Sequence, residues 1–279
     1  MTAYEEIQQI IGMDEFKQLA DRLQQVAENR KRLHGVEISL PNYIFVTDPG
    51  CGITTHLRQL TRLLQENNLF RFAGEQPFFE WMLKRSDPNW TIEHLVDRIN
   101  VMAGFHNKFM GVIGLELDVW SESEVKGGAF QRLLDLIDSK KDLVLFVLIL
   151  PAKSDDSPEE MINAIRSTSP VEIIHFHTPT SEQLAEYLKN FVNRKGFSVS
   201  NQAYRELPAI LDRLRNSPGF DGLSTISNLA DEIIYHNCSS GRVNEATILK
   251  DDLDFITKDD GYLSRLAKKK DVRRIGFGG

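Results

Sequence analysis

The spacing of apolar side chains alternates between two periods along this chain. Phe16, Leu19, Leu23 and Val26 recur every three or four residues and Leu33 extends the stripe. That spacing predicts a helix with Asp14 as its N-cap and Gly35 closing it. Tyr43–Thr47 then reads as a short strand entering a Pro-Gly turn. Leu57, Leu60, Leu63 and Leu64 mark a helix over Thr54–Glu66. Phe78–Trp81 is a strand, Thr91–Phe105 a helix with Ile92, Leu95, Val96, Ile99 and Met102 in phase, and residues 109–117 contain the next strand. Phe130–Ile137 belongs to a helix. Leu143–Leu150 is an unbroken apolar run, the pattern of a strand covered on both faces. A helix near Pro158–Ile165 and a strand at Val171–Phe176 complete the series.

After Pro179 the strand pattern gives way to helical spacing at Ser181–Lys195, Asn201–Arg215 and Ser224–Tyr235, with a helix start at Ser181 and Glu182. Residues 246–256 read as a short extended piece capped by an acidic helix. Alternating strands and helices predict a parallel sheet with helices on both faces. The expected organisation is an α/β domain over 1–178, a small all-helical domain over 179–257 and a basic tail over 258–279. No repeat or low-complexity tract interrupts it.

Composition narrows the class. The chain has 279 residues, 41% hydrophobic and 26% charged, which excludes a disordered, collagen-like or disulfide-rich protein. Its net charge of −7 argues against nucleic-acid binding over the whole surface. From Lys258 to Gly279 the net charge is instead +4, a tail suited to an acidic partner or to the acidic body itself. Cys51 and Cys238 fit a reducing compartment. The longest apolar run is too short to span a bilayer, and the N-terminus lacks an apolar signal segment, so the expectation is a cytoplasmic protein without a membrane contact.

The most informative stretch is Tyr43–Leu57, where a strand enters a Pro-Gly-x-Gly turn and then a helix. Backbone N–H groups in such a turn, together with a helix N-terminus, form a phosphate cradle. In the working motif, G-x-x-x-x-G-K-[ST], Gly52, Thr54 and Thr55 fit, Thr47 takes the first glycine position and Ile53 takes the lysine position. Asp48 adds a negative charge to the same loop. Gly50 and Gly52 retain the backbone cradle. Two weaker constellations are His175-x-His177, an imidazole pair on one strand face, and Cys51, a thiol near a helix N-terminus with His56 as its nearest base. Spacing favours an incidental strand end for the first and no nucleophile for the second.

At these residues the chain resembles the AAA+ ATPases of the group containing CbbX, the stage V sporulation protein K and the type VII secretion ATPase. Ile10, Ile11, Gly12, Met13, Asp14 and Lys17 are similar to that group's opening motif, and Thr47, Asp48, Pro49, Gly50, Cys51, Gly52, Ile53, Thr54 and Thr55 to its phosphate loop. The resemblance runs from about Ile7 to Phe255. It implies an AAA+ P-loop NTPase fold, a three-layer sandwich with a parallel sheet followed by a helical lid. It also implies ATP or ADP with Mg²⁺ as ligand, with Ile11, Gly12, the loop and Ser224 at the nucleotide and Thr54 and Glu116 at the metal. A ring of identical subunits, or a mixed ring with an intact relative, is the implied assembly.

The same alignment exposes departures. Gly111–Asp118 corresponds to the second nucleotide motif, where Glu116 takes the metal position and Leu117 the catalytic carboxylate; shifted by one, Glu116 takes the catalytic position and Leu115 the metal position, so one role is missing either way. Leu150 and Pro151 end the strand that normally carries a γ-phosphate sensor. In Ile165–Pro170 the arginine finger position is Thr168, while Arg166 sits earlier. In Asp221–Leu229 the lid arginines are replaced by Ser224 and Ser227, with Asn228 and Leu229 matching the helix scaffold. Phosphoryl transfer depends on positioned charge over the γ-phosphate. The expected function is therefore an AAA+-like pseudo-ATPase that assembles or regulates without catalytic residues. Two alternatives remain open: a divergent ATPase that remodels proteins with Lys108 or Lys126 as its cation, and a switch that binds nucleotide without hydrolysing it.

Overall fold

The apolar runs assemble into one parallel sheet. In the computed structural model, residues 1–33, 38–48, 50–69, 79–83, 92–105, 111–117, 128–141, 144–152, 158–217, 219–240, 246–259 and 261–268 are described. β1 (Asn42–Thr47) lies between β4 (Val144–Pro151) and β5 (Val171–Phe176). β3 (Gly111–Glu116) joins β4 to the edge strand β2 (Phe79–Leu83), so the order is β2-β3-β4-β1-β5 with every pair parallel. The register aligns Thr47 with Pro151 and Phe176, and Glu116 with Ile149. These strand ends therefore share the carboxyl edge of the sheet, where ligands bind in α/β folds.

Helices cover both faces. The first unit contains α1 (Ala3–Gln8), α2 (Asp14–Arg32), α3 (Ile53–Glu66), α4 (Ile92–Phe105), α5 (Gly128–Lys140) and α6 (Pro158–Thr168). Side-chain alternation along β1 divides the core. Ile44 and Val46 join Phe146 and Leu148 of β4 in a cluster with Ile99 of α4, Leu133 of α5 and Ile165 of α6. Phe45 instead packs against Phe16 of α2, centroids 6.3 Å apart, and against Phe176 at 4.7 Å. Burying each such side chain contributes roughly 1.5–3 kcal/mol, which is why the continuous run of β4 lies at the centre of the sheet. The polar exception at the opposite edge is satisfied: buried Asn42 accepts a hydrogen bond from the Phe146 N–H at 2.9 Å.

The start of α2 differs from the expectation by one residue, whereas Ser181 opens its helix as expected. Met13, in left-handed geometry with φ 59°, is the N-cap of α2, and Asp14 is its first helical residue. An acidic residue is favoured there by the helix dipole, so the same carboxylate signal serves either position. Gly35 lies outside the described residues. Glu15, one residue on, accepts the His175 N–H of edge strand β5 at 2.8 Å and meets the His175 ring at 3.1 Å. In the second unit, α7 (Ser181–Arg194) is capped by Thr180, which forms a reciprocal capping box with Gln183.

That second unit continues with β6 (Ser198–Val199), α8 (Asn201–Arg215), α9 (Gly222–Ser239), β7 (Thr247–Ile248), a 3-10 turn (Lys250–Leu253), α10 (Asp254–Thr257) and α11 (Tyr262–Lys268). β6 and β7 pair in parallel, a small sheet that two-residue strands leave invisible to periodicity. Leu188, Leu211, Leu229 and Ile233 form the core with Ile256 and Leu266. A buried polar clasp holds the end together: Asn237 donates to Asp252 at 3.0 Å and to the Thr247 carbonyl at 3.1 Å, and Asp252 accepts the Leu249 N–H at 2.8 Å. Helical order extends beyond Thr257, because α11 buries Leu263 and Leu266 in this core. The basic character of 258–279 hid those two leucines. The chain divides into two compact units, Met1–Asp48 with Ile53–His177, and the remainder from Thr178 together with loop residues 50–52.

Candidate functional site

The loop after β1 is rooted in the sheet on both sides. Thr47 accepts the Ala152 N–H at 2.9 Å and its hydroxyl donates to the Leu150 carbonyl at 3.4 Å. Asp48 donates its N–H to the Phe176 carbonyl at 2.9 Å. The chain then turns through Gly50 and Gly52, both with left-handed φ of 79° and 72°, and Ile53 opens α3. Pro49 lies outside the described residues. The first-turn amides of α3 have no intrahelical acceptor, and they belong to Ile53, Thr54 and Thr55. Thr54 and Thr55 are exposed, Ile53 is half-buried and Cys51 is buried.

Charge in this region is negative. Asp48 is 18% exposed and lies 3.9 Å from the His177 ring, and Glu116 ends β3 half-exposed. Leu117 donates its N–H to the Ile149 carbonyl at 2.9 Å while its side chain is buried in the core cluster with Leu115. Strand alternation thus turns Glu116 away from its two leucine neighbours. The first cation along α3 is Arg58, whose charge acts on Glu80 of β2; burial raises the Glu80 carboxyl above its ordinary range and Arg58 partly offsets that. Lys108 and Lys126 lie outside the described residues.

The remaining expected positions are distributed along the chain. Ile11 and half-exposed Gly12 form the turn between α1 and α2, with Gly12 and Met13 both left-handed. Pro151 is half-buried at the end of β4. Thr168 ends α6 with its hydroxyl on the Ala164 carbonyl at 3.3 Å, and Arg166 is exposed. In the second unit, Ser224 is exposed in the first turn of α9, whereas Ser227 donates to the Leu223 carbonyl at 2.9 Å and contacts the Tyr187 hydroxyl at 3.2 Å. Ser227 is thereby part of the helical scaffold.

His175 and His177 stack in parallel 6.0 Å apart, each next to its own carboxylate. Among the described residues no group of three or more metal-ligating side chains gathers. His56 is buried against Phe176 at 5.3 Å and Phe16 at 5.2 Å, with its Nδ1 3.2 Å from Gln59. It therefore packs beneath the helix start as an aromatic. Neither cysteine is in a disulfide.

One contact escapes the sequence reading, although its residue lies in the Asp221–Leu229 run. Gly222, the first residue of α9, meets loop residue Gly50 main chain to main chain within the second unit. The available signal was a glycine at a helix start directly after Asp221, a position where serine, threonine or a good helix former is usual.

No protein-family model matches the chain, and no curated protein matches its sequence. Solved structures do match its fold. A RuvB mutant from Thermotoga maritima aligns over 90% of this chain and 71% of its own, with a TM-score of 0.57 at 16% identity. PCH-2 from C. elegans aligns over 91% of this chain and 68% of its own, with a TM-score of 0.50 at 16% identity. Both have the AAA+ fold. The strand order, the loop between β1 and α3 and these two likenesses agree that the chain has the AAA+ fold, an α/β P-loop sandwich with a parallel sheet followed by a helical domain.

Proposed function

We propose that this protein is an AAA+-type pseudo-ATPase, an assembly or regulatory subunit that binds ATP or ADP weakly or not at all and does not turn it over. The observation that carries the reading is the buried Leu117 beside Glu116. A catalytic carboxylate polarises the attacking water, and a leucine packed in the core cannot. The half-buried Ile53 at the lysine position, Pro151 at the strand end, Thr168 at the finger position and Ser224 in the lid helix support the same conclusion. An arginine finger alone is worth roughly 10³–10⁵ in rate, so these replacements together leave little to lower the barrier. Ring assembly, typical of AAA+ proteins, is the form in which such a subunit acts, either with copies of itself or beside an intact relative.

The openness of the loop favours a second reading, a nucleotide-binding switch without hydrolysis. A β-carbon on Gly52 would meet nothing within 4 Å, and Thr54 and Thr55 are exposed beside it. Glu116, a hard oxygen ligand, would hold Mg²⁺ with Thr54. One experiment separates the readings. The purified chain is heated with and without ATP–Mg²⁺ and assayed for phosphate release. The pseudo-ATPase gives no release and no thermal shift at ordinary nucleotide concentrations. The switch gives no release but a stabilisation of about 2.7 kcal/mol at 100 Kd. Phosphate release that disappears in Glu116→Gln overturns both.

A further inference from the structure

Two glycines approach each other with no space for a side chain on either. A β-carbon on Gly222 would lie 1.8 Å from the carbonyl oxygen of Gly50 and 2.6 Å from its carbonyl carbon. A β-carbon on Gly50 would lie 2.4 Å from the Gly222 nitrogen and 2.7 Å from the Asp221 carbonyl carbon. Every one of these atoms is main chain, so no rotamer change relieves the crowding. Both glycines also have left-handed φ, 79° and 51°, where an L side chain is unfavourable. A left-handed glycine does not by itself bring such crowding. Gly52 and Gly196 have φ of 72° and 85° in the same unit, and a β-carbon on either meets nothing within 4 Å.

The surroundings suit a fixed contact. Gly222 is buried, and the Asp221 N–H donates to the Thr225 hydroxyl at 2.9 Å, which pins the approach to α9. Cys51, the residue after Gly50, is only 1% exposed although it lies in a surface turn.

We infer that Gly50 and Gly222 form a latch that holds the tip of the phosphate loop on the start of α9 and keeps the Cys51 side chain shut away. Release of the loop tip and exposure of Cys51 are one event. The contact is made by main-chain atoms of this chain alone, so its test does not depend on whether ATP binds.

The two cysteine thiols, neither of them in a disulfide, make it measurable. Cys238 is exposed in α9 and serves as the internal reference for the buried Cys51. The full chain, without nucleotide, is treated with an aromatic disulfide reagent and the rate at each thiol is read by mass spectrometry. Cys51 reacts at least about tenfold more slowly than Cys238, since it must wait for a local opening. Gly222→Ala and Gly50→Ala each accelerate Cys51 by about tenfold or more and leave Cys238 unchanged. Gly196→Ala, which introduces backbone strain away from the contact, leaves both rates alone. Unchanged Cys51 reactivity in folded Gly222→Ala and Gly50→Ala, or equal acceleration by Gly196→Ala, overturns the latch. If neither latch variant folds, the unsubstituted chain decides: slow Cys51 supports the latch, and Cys51 as fast as Cys238 refutes it.

Discussion

Ile53 separates shape from chemistry at the scale of one residue. It occupies the first position of α3, where a lysine would place its ammonium over the outer phosphates, and its side chain is half-buried. One charge-assisted hydrogen bond is worth roughly 1.5–3 kcal/mol. Ile53→Lys is therefore expected to raise ATP affinity by about one to two orders of magnitude, read by calorimetry, with no gain in turnover because Leu117 is untouched. A gain in turnover from this single change would show that a hidden catalytic group survives. Glu80 gives a second residue-scale prediction. Burial raises its pKa despite Arg58, so the folded state binds its proton more tightly than the unfolded state. The stability that proton supplies is complete below the ordinary glutamate range and is lost as pH rises through the raised value. Urea unfolding between pH 4 and 7 is expected to show Glu80→Gln gaining on the unsubstituted protein as pH rises. A constant difference would remove the burial argument.

At the scale of elements, legibility followed the physics of burial. Val171–Phe176 and Asn201–Arg215 were readable to the residue, because a short β-branched run bounded by Pro170 and a long apolar stripe each leave a clear local pattern. α1 was not read, since six residues offer barely one turn of pattern; it depends on its capping box at Thr2 and Glu5 and on the Glu66 carboxylate accepting the Ala3 N–H at 2.8 Å. β6 was equally silent, whereas β7 falls in the short extended piece expected at 246–256. α11 was masked by the basic residues around its two buried leucines. Of the candidate site, the loop between β1 and α3 and the strand end at Glu116 were visible in local sequence. The Gly50–Gly222 approach was not, because a main-chain contact between residues 172 positions apart leaves no side-chain signature.

At the scale of the molecule, each unit has its own apolar core. Multidomain chains of this kind depart from a single two-state transition. Calorimetry is expected to resolve two unfolding steps. Leu266→Ala, which empties a buried position in α11, should cost about 2–5 kcal/mol and lower one step while leaving the other in place. A uniform shift of the whole transition would mean that the units unfold as one. The charge asymmetry between an acidic body and its basic end is likewise a property of the whole chain, and it makes any association that uses that end weaken as salt rises. The last consequence lies at the outer margin of the sheet. The Glu15 carboxylate already occupies the His175 amide of β5, so a foreign strand seeking to zip onto that rim meets a donor already engaged and an acidic group in its path. The rim is thereby guarded at this position against runaway fibre growth.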